Sequence, residues 1–480
     1  MGNYRTPVLW TGIGLIGIAL TASGVIPPFF LLDDGYITAR NAGLIASGQA
    51  DPMFGSPALT GSTSLIHTFL VTAFAFLMAA DKALMSATVV GLTLYAAGAW
   101  AASARAPDRI TQSLLFLTFF AVGSTLLQLV NGMETGLAMA AGLWIGVLAT
   151  SASHRSHMAA AGLLGLAVFI RPEFAALALL VIPYLAWKSD RRVQIVAAAT
   201  ASFAFFALIA YSSTGSLLSS TVEAKRVWFA EGCAPMDFKA QIIKGVALQV
   251  LMLTAPCLLA VAALVRKPWT LVVLGFAAAF FVAYVVRFPG ALTHNAGRYI
   301  YILFPLVVLI LCTAVNEIQR RNVRLTIAAL SLAVLSFSAV SDSRATWRFF
   351  YPLLHQDIAG MSHWVNQNVP KGSTILVHDV GYLSWVATGY KMTDLVGLKT
   401  PESIQVHKDV TLKTCGEKRG WAVAYIAREA NPAYAITSDD WNFHFQLDQA
   451  IALAGYELTP VYDERYNVYK LTKKPQKTRG

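Results

Sequence analysis

The sequence predicts a polytopic α-helical membrane protein that ends in a water-exposed α/β domain. Three observations predict it. Of the 480 residues, 56% are hydrophobic types and only 13% are charged, a balance that suits a lipid-facing exterior better than a soluble one. The apolar residues come in uncharged stretches about as long as a bilayer core demands, roughly 20 residues each. The positive excess, +11 at neutral pH, falls in short clusters between those stretches, as it does in loops that set membrane orientation, and therefore argues for membrane lipid rather than nucleic acid as the partner.

Val8 to Leu32 is the first apolar stretch. It lacks a small-residue cleavage site and runs directly into Asp33-Asp34, so it reads as a retained anchor and not a removed signal. Leu84 to Ala104, Ile110 to Val130, Val246 to Val265, Trp269 to Val286 and Tyr299 to Ala314 are further spans. Arg105 with Arg109, Arg155, Lys188 with Arg191 and Arg192, Arg266 with Lys267, and Arg320, Arg321 and Arg324 mark cytoplasmic loops. Asn131 to Thr135, Arg171 to Glu173, Ser212 to Lys244, Phe288 to Arg298 and everything after Ser341 then lie on the opposite face. About twelve apolar candidates conflict with an odd number of crossings, so Leu65 to Ala80 is expected to be re-entrant or interfacial, leaving about eleven spans.

After Ser341 the hydropathy falls. Short runs at Ser373 to Val377, Trp421 to Ile426, Ala433 to Thr437 and Glu457 to Leu471 look like strands. The chain therefore divides into a membrane part, 1–340, with a first external loop at 33–62, and an external α/β domain, 341–480. Cys257 and Cys312 fall inside spans as small apolar residues. Cys233 and Cys415 are both external; they either pair or stay as two buried thiols.

The polar residues of the external face carry the chemistry. Asp33 and Asp34 stand where the first span meets the outer interface, ahead of a helical stretch on which Asp33, Tyr36 and Arg40 share one face. Either the pair is a plain N-cap with a charged neighbour, or one carboxylate, partly desolvated, is a general base for a hydroxyl attacking a sugar anomeric carbon. Asp33 is the expected base, because it can cap the helix with its carboxylate toward a cavity. Glu134, Arg171 and Glu173 either tie spans together as an ion pair or line a polar cavity, where Arg171 would be a further ligand for a donor phosphate. Lys225 is a loop lysine or a phosphate ligand, and Arg298 an interface anchor or a two-pronged phosphate ligand. His294 is a weaker site residue. His378 and Asp379 end a strand, where they cap turns or touch an acceptor. Gly12, Gly14 and Gly17 have dinucleotide-loop spacing but no strand before them, so no nucleotide-sugar donor is indicated.

These motifs, in this order, resemble bacterial GT-C glycosyltransferases, a group that includes the mycobacterial arabinofuranosyltransferases. The resemblance rests on Asp33-Asp34 with Tyr36 and Arg40, Asn131-Gly132-Met133-Glu134-Thr135, Arg171-Pro172-Glu173, the loop carrying Gly215, Leu217, Leu218, Thr221, Ala224 and Lys225, the Arg298-Tyr299 pair ahead of Pro305, and Val377 to Tyr382 with Thr393 to Leu398. The loop departs from the group at Ser219-Ser220, where Pro-Asn is usual. The resemblance implies a GT-C-like fold and a first-loop aspartate as base. It also implies inverting transfer of a sugar, arabinofuranose or similar, from a polyprenyl-phosphate donor to a glycan, lipid or protein acceptor. The expected setting is the outer face of a bacterial inner membrane, with the C-terminal domain periplasmic or extracellular. No cofactor is specified, although the carboxylates leave room for a divalent cation. The intramembrane charges would also suit a transporter or flippase, but no inverted repeat is visible, and transport gives no reason for Asp33-Asp34 or the external domain.

Overall fold

The computed structural model describes residues 5–217 and 219–475. Leu218 of the resemblance lies outside the described residues. Among the described residues five helices are each long and apolar enough to cross a bilayer: Ala80–Ser103, Arg192–Thr214, Met236–Ala263, Pro268–Arg287 and the rod beginning at Arg321. The bent pair His294–Ile302 and Phe304–Asn316, turning by 48°, makes a sixth. Shorter apolar helices at Val8–Ala22, Leu65–Ala75, Thr135–Ala149 and Phe174–Lys188 complete a multi-pass membrane part. Its core is small-residue-rich, with Ala99, Ala138, Ala141, Ala160 and Ala161 buried between helices, as expected where backbones approach closely without a hydrophobic drive between spans.

Several expected spans are broken. The first helix ends at Ala22, and Pro27-Pro28 carry the chain in non-helical form to the Asp34–Ala46 helix, because proline cannot donate to a continuing helix. Ile110 to Val130 divides into Arg109–Thr118 and Thr125–Leu129. The helix Leu65–Ala75 has 11 residues, a rise of about 16 Å and thus about half a bilayer core.

The C-terminal part holds a five-stranded sheet in the order β2-β1-β3-β5-β4, built from β1 (Thr374–Val377), β2 (Lys391–Asp394), β3 (Tyr434–Ser438), β4 (Tyr456–Asp463) and β5 (Tyr466–Lys473). β1 runs parallel to β2 and β3, while β5 runs antiparallel to β3 and β4. The expected strand at Trp421 to Ile426 is instead part of the helix Arg419–Ala430. Its aromatic and β-branched residues suggested a strand, but Ala422, Val423, Ala424, Ile426 and Ala427 are buried, and Ala422, Val423, Ile426 and Ala427 have the spacing of one helical face. Glu457 to Leu471 is a hairpin of β4 and β5, not one strand. The helix Arg321–Pro352 runs unbroken through position 341, so the two parts of the chain are joined by a rigid rod.

Candidate active site

The carboxyl ends of the parallel strands β1, β2 and β3 face the first external loop and carry Asp379, Asp394 and Ser438. Asp33, Tyr36 and Arg40 do share one face of the Asp34–Ala46 helix, and that face is covered by the C-terminal domain. Asp33 accepts hydrogen bonds from the backbone N–H groups of Gly381 and Tyr382, at 2.9 and 2.5 Å. The Tyr36 ring meets the Tyr382 ring edge-on, with centroids 4.8 Å apart. Arg40 donates to the Ser384 carbonyl at 2.9 Å and pairs with Asp51 at 2.7 Å. Gly381 is required here, because a Cβ would lie 2.6 Å from Asp33 Oδ2.

Asp33 occupies the N-cap position but makes no side-chain cap bond; its oxygens are spent on the neighbouring domain. Burial pushes its carboxyl up to about 8, the charges of Asp379 and Asp34 add to the rise, and the two N–H donors offset it in part. Asp33 therefore favours its protonated form far more than an ordinary aspartate does.

Asp34 looks elsewhere. Its Oδ2 lies 3.8 Å from Lys225 Nζ and 3.5 Å from Arg298 Nη2. Burial would raise its carboxyl, but Lys225, Arg298 and His294 outweigh it and hold the group below the usual carboxylate range. Two adjacent carboxyls pushed in opposite directions separate a protonated group from an ionised one, and Asp34 is the ionised one.

The cations around it are built in. Lys225 sits on the helix Ser220–Phe229, whose N-cap Ser219 accepts from Thr221 N–H and donates to the Ser62 carbonyl at 2.6 Å; the serines that depart from the expected motif start this helix. Arg298 is only 1% exposed, yet its Nε and Nη1 have no partner among the described residues. Asn295, Ala296 and Gly297 all have positive φ and break the span just before it, a strained geometry costing of order 1–3 kcal/mol per non-glycine residue. The Tyr299 ring is shared by two guanidiniums, Arg171 at 4.5 Å and Arg298 at 5.0 Å.

Arg171 is otherwise saturated, pairing with Glu134 at 2.7 Å and Glu173 at 2.6 Å, and Glu173 also accepts from Tyr284. These three residues tie helices together, with Glu134 also facing a small polar cavity alongside Asp34, Lys225 and His67. The loops of Asp34 and Glu134 touch backbone to backbone, since a Cβ on Gly35 would lie 3.1 Å from the Gly132 carbonyl oxygen. His294 and Asp379 line a larger cavity with Asp33 and Asp34. His378 lies outside that lining: its Nε2 accepts from Ser438 N–H, its ring stacks on Trp441, and its Nδ1 is 3.2 Å from Asp379 without hydrogen-bond alignment. Among the described residues no group of three or more His, Cys, Asp or Glu side chains is gathered to hold a metal ion.

Two features escaped the sequence reading, and one alternative it held open is decided. His67 is buried, and no hydrogen bond to its ring is found among the described residues; a lone histidine in an apolar stretch was its only signal. Lys399 is buried against Asp51 at 3.1 Å and Asn41 at 2.8 Å, pinning the C-terminal domain to the first loop. Cys233 and Cys415 are disulfide-bonded, 182 residues apart in sequence, which settles an alternative that spacing left open.

The whole chain superposes on a known architecture. ArnT from Cupriavidus metallidurans bound to undecaprenyl phosphate matches with a TM-score of 0.55 and 11% identity, over 98% of this chain and 98% of that one. The fold is similar to that of ArnT. The apo state of the same protein gives 0.55 and 12% identity, over 96% of this chain and 97% of that one, and the archaeal oligosaccharyltransferase AglB from Archaeoglobus fulgidus gives 0.47 and 11%, over 98% of this chain and 75% of that one. The ArnT likeness supports the GT-C fold expected from the motifs. A family model described as a domain of unknown function, DUF8728, matches residues 347–472. No curated protein matches the sequence.

Proposed function

We propose that the chain is an inverting glycosyltransferase that moves a sugar, arabinofuranose or similar, from a polyprenyl-phosphate donor to an acceptor hydroxyl. One observation carries the reading: an ionised carboxylate, Asp34, lies beside Lys225 and a buried Arg298 with two unpartnered N–H-bearing nitrogens. A buried guanidinium with unused donors is costly unless a ligand completes it, and a phosphate fits its fork. The fold is shared with a protein whose structure holds undecaprenyl phosphate.

In this scheme Arg298 and Lys225 hold the donor phosphate. Asp34 removes the proton of the acceptor hydroxyl as its oxygen attacks the anomeric carbon from the face opposite the phosphate. The anomeric C–O bond breaks, its electron pair leaves with the phosphate oxygen, and the two cations stabilise that charge. Arg171 is spent on Glu134 and Glu173, so the donor role falls to the other two. Asp34 replaces Asp33 as the base, since Asp33 is capped by the C-terminal domain.

On a reading of about eleven crossings, with the short Leu65–Ala75 helix not spanning, the site and C-terminal domain lie on the outer face of a bacterial inner membrane. The Cys233–Cys415 disulfide supports an oxidising compartment for both. Purified protein incubated with synthetic polyprenyl-phosphate pentoses and hexoses is expected to release polyprenyl phosphate and extend an acceptor glycoside. No release from any donor in the series would overturn the reading.

A further inference from the structure

A cavity of about 570 Å³ opens onto Asp34 from a side that neither Lys225 nor Arg298 lines. Its wall combines Asp33, Asp34, Asp379 and Asp440 with the aromatic residues Phe350 and Trp441, and among the described residues it contains no lysine or arginine. Lys225 and Arg298, the two cations paired with the base, thus lie off this wall. We propose that this chamber is the acceptor subsite and that it takes an uncharged saccharide while rejecting phosphorylated acceptors, a specificity that rests on the transferase reading above.

The lining explains both halves. A carboxylate accepts hydrogen bonds from several hydroxyls at once. Asp379 and Asp440 each have one oxygen engaged, by Tyr466 O–H at 2.6 Å and by Arg465 at 2.8 Å, which leaves lone pairs for a ligand. Asp379 is ionised: burial pushes it up, but His378 and Tyr466 hold it below the usual carboxylate range. Aromatic faces give the apolar side of a sugar ring something to pack on, and the volume is that of a small-molecule site. A phosphate in the same space would meet like charge, and the arginine at its edge, Arg465, is already paired with Asp440 and Asp357, a juxtaposition that disfavours binding strongly. The acidic wall also separates the substrates, because the anionic donor head is drawn to Arg298 and the neutral acceptor is left to Asp34.

The test reads binding without turnover. Octyl glycosides of arabinose, mannose and galactose, each as the free alcohol and as its phosphate monoester, are titrated into the detergent-purified protein while Trp441 emission is followed, with Trp441→Phe as the control for signal origin. At least one neutral glycoside is expected to bind at least about tenfold more tightly than its phosphate ester. Asp379→Asn and Asp440→Asn should each narrow that gap by about threefold or more. Equal or tighter binding of the phosphate esters, or binding of no glycoside, overturns the proposal. So does an unchanged gap in both variants. Donor cleavage separates the two claims: discrimination without polyprenyl phosphate release defeats the transferase reading alone, and release with preferred transfer to a phosphate ester defeats this one alone.

Discussion

Replacing Asp34 by asparagine isolates the proton-transfer role from the donor-binding role. The amide keeps the shape of the carboxylate but cannot take a proton at neutral pH, so the turnover number should fall by about a thousandfold, within the range a general base contributes. Donor binding should move the other way. Asp34 Oδ2 is 3.5 Å from Arg298 Nη2, and at an effective dielectric of about 20 that separation corresponds to about 5 kcal/mol of direct attraction. Donor phosphate must compete with it for the guanidinium. Desolvation and the 3.8 Å contact to Lys225 reduce the net effect, so a gain of about 1–2 kcal/mol, roughly tenfold in donor affinity, is expected. The assay pairs polyprenyl phosphate release with equilibrium binding of a radiolabelled donor. Loss of turnover together with weakened donor binding would refute the two-sided account of Asp34, and normal turnover would remove it as the base.

Three further outcomes follow from the same geometry. Arg298→Ala should raise the donor KM more than Arg298→Lys, because lysine keeps the charge and loses the fork; wild-type kinetics for both would take Arg298 out of the site. Asp33 holds its carboxyl at about 8 in the folded chain, against a reference of 3.8. Its proton-linked contribution to stability is therefore full below about 4, shrinks as pH rises, and is gone above about 8. Asp33→Asn should flatten that part of the thermal-stability profile, and an unchanged slope would contradict the assignment. Asp51→Asn leaves Arg40 and the buried Lys399 without their carboxylate, so a loss of about 3–5 kcal/mol in docking of the C-terminal domain is expected. Limited proteolysis should report it as faster cleavage between the two parts, and wild-type resistance would show that the triad does not hold them.

The sequence by itself determined the multi-pass membrane class and which polar motifs fall between the apolar stretches. Those properties depend on local composition and on charge in short loops, and both can be read one segment at a time. The shared face of Asp33, Tyr36 and Arg40 was legible for the same reason, since helical spacing is a local rule. What covers that face was not legible. The Gly381–Tyr382 backbone that caps Asp33 lies nearly 350 positions away in the chain, and no local pattern encodes such a contact. That contact, with the opposed surroundings of two neighbouring aspartates, moved the proposed base from Asp33 to Asp34. The Arg419–Ala430 helix shows the limit within one segment: aromatic and β-branched residues favour a strand, and burial of one helical face against the sheet prevailed. The Cys233–Cys415 bond and the Lys399–Asp51 pair likewise exist because tertiary packing brings distant, individually unremarkable residues within bonding distance. Electrostatic environment is a property of the whole neighbourhood, so which carboxyl is ionised could be decided only once the folded chain had placed Lys225 and Arg298 beside one aspartate and two backbone N–H groups beside the other.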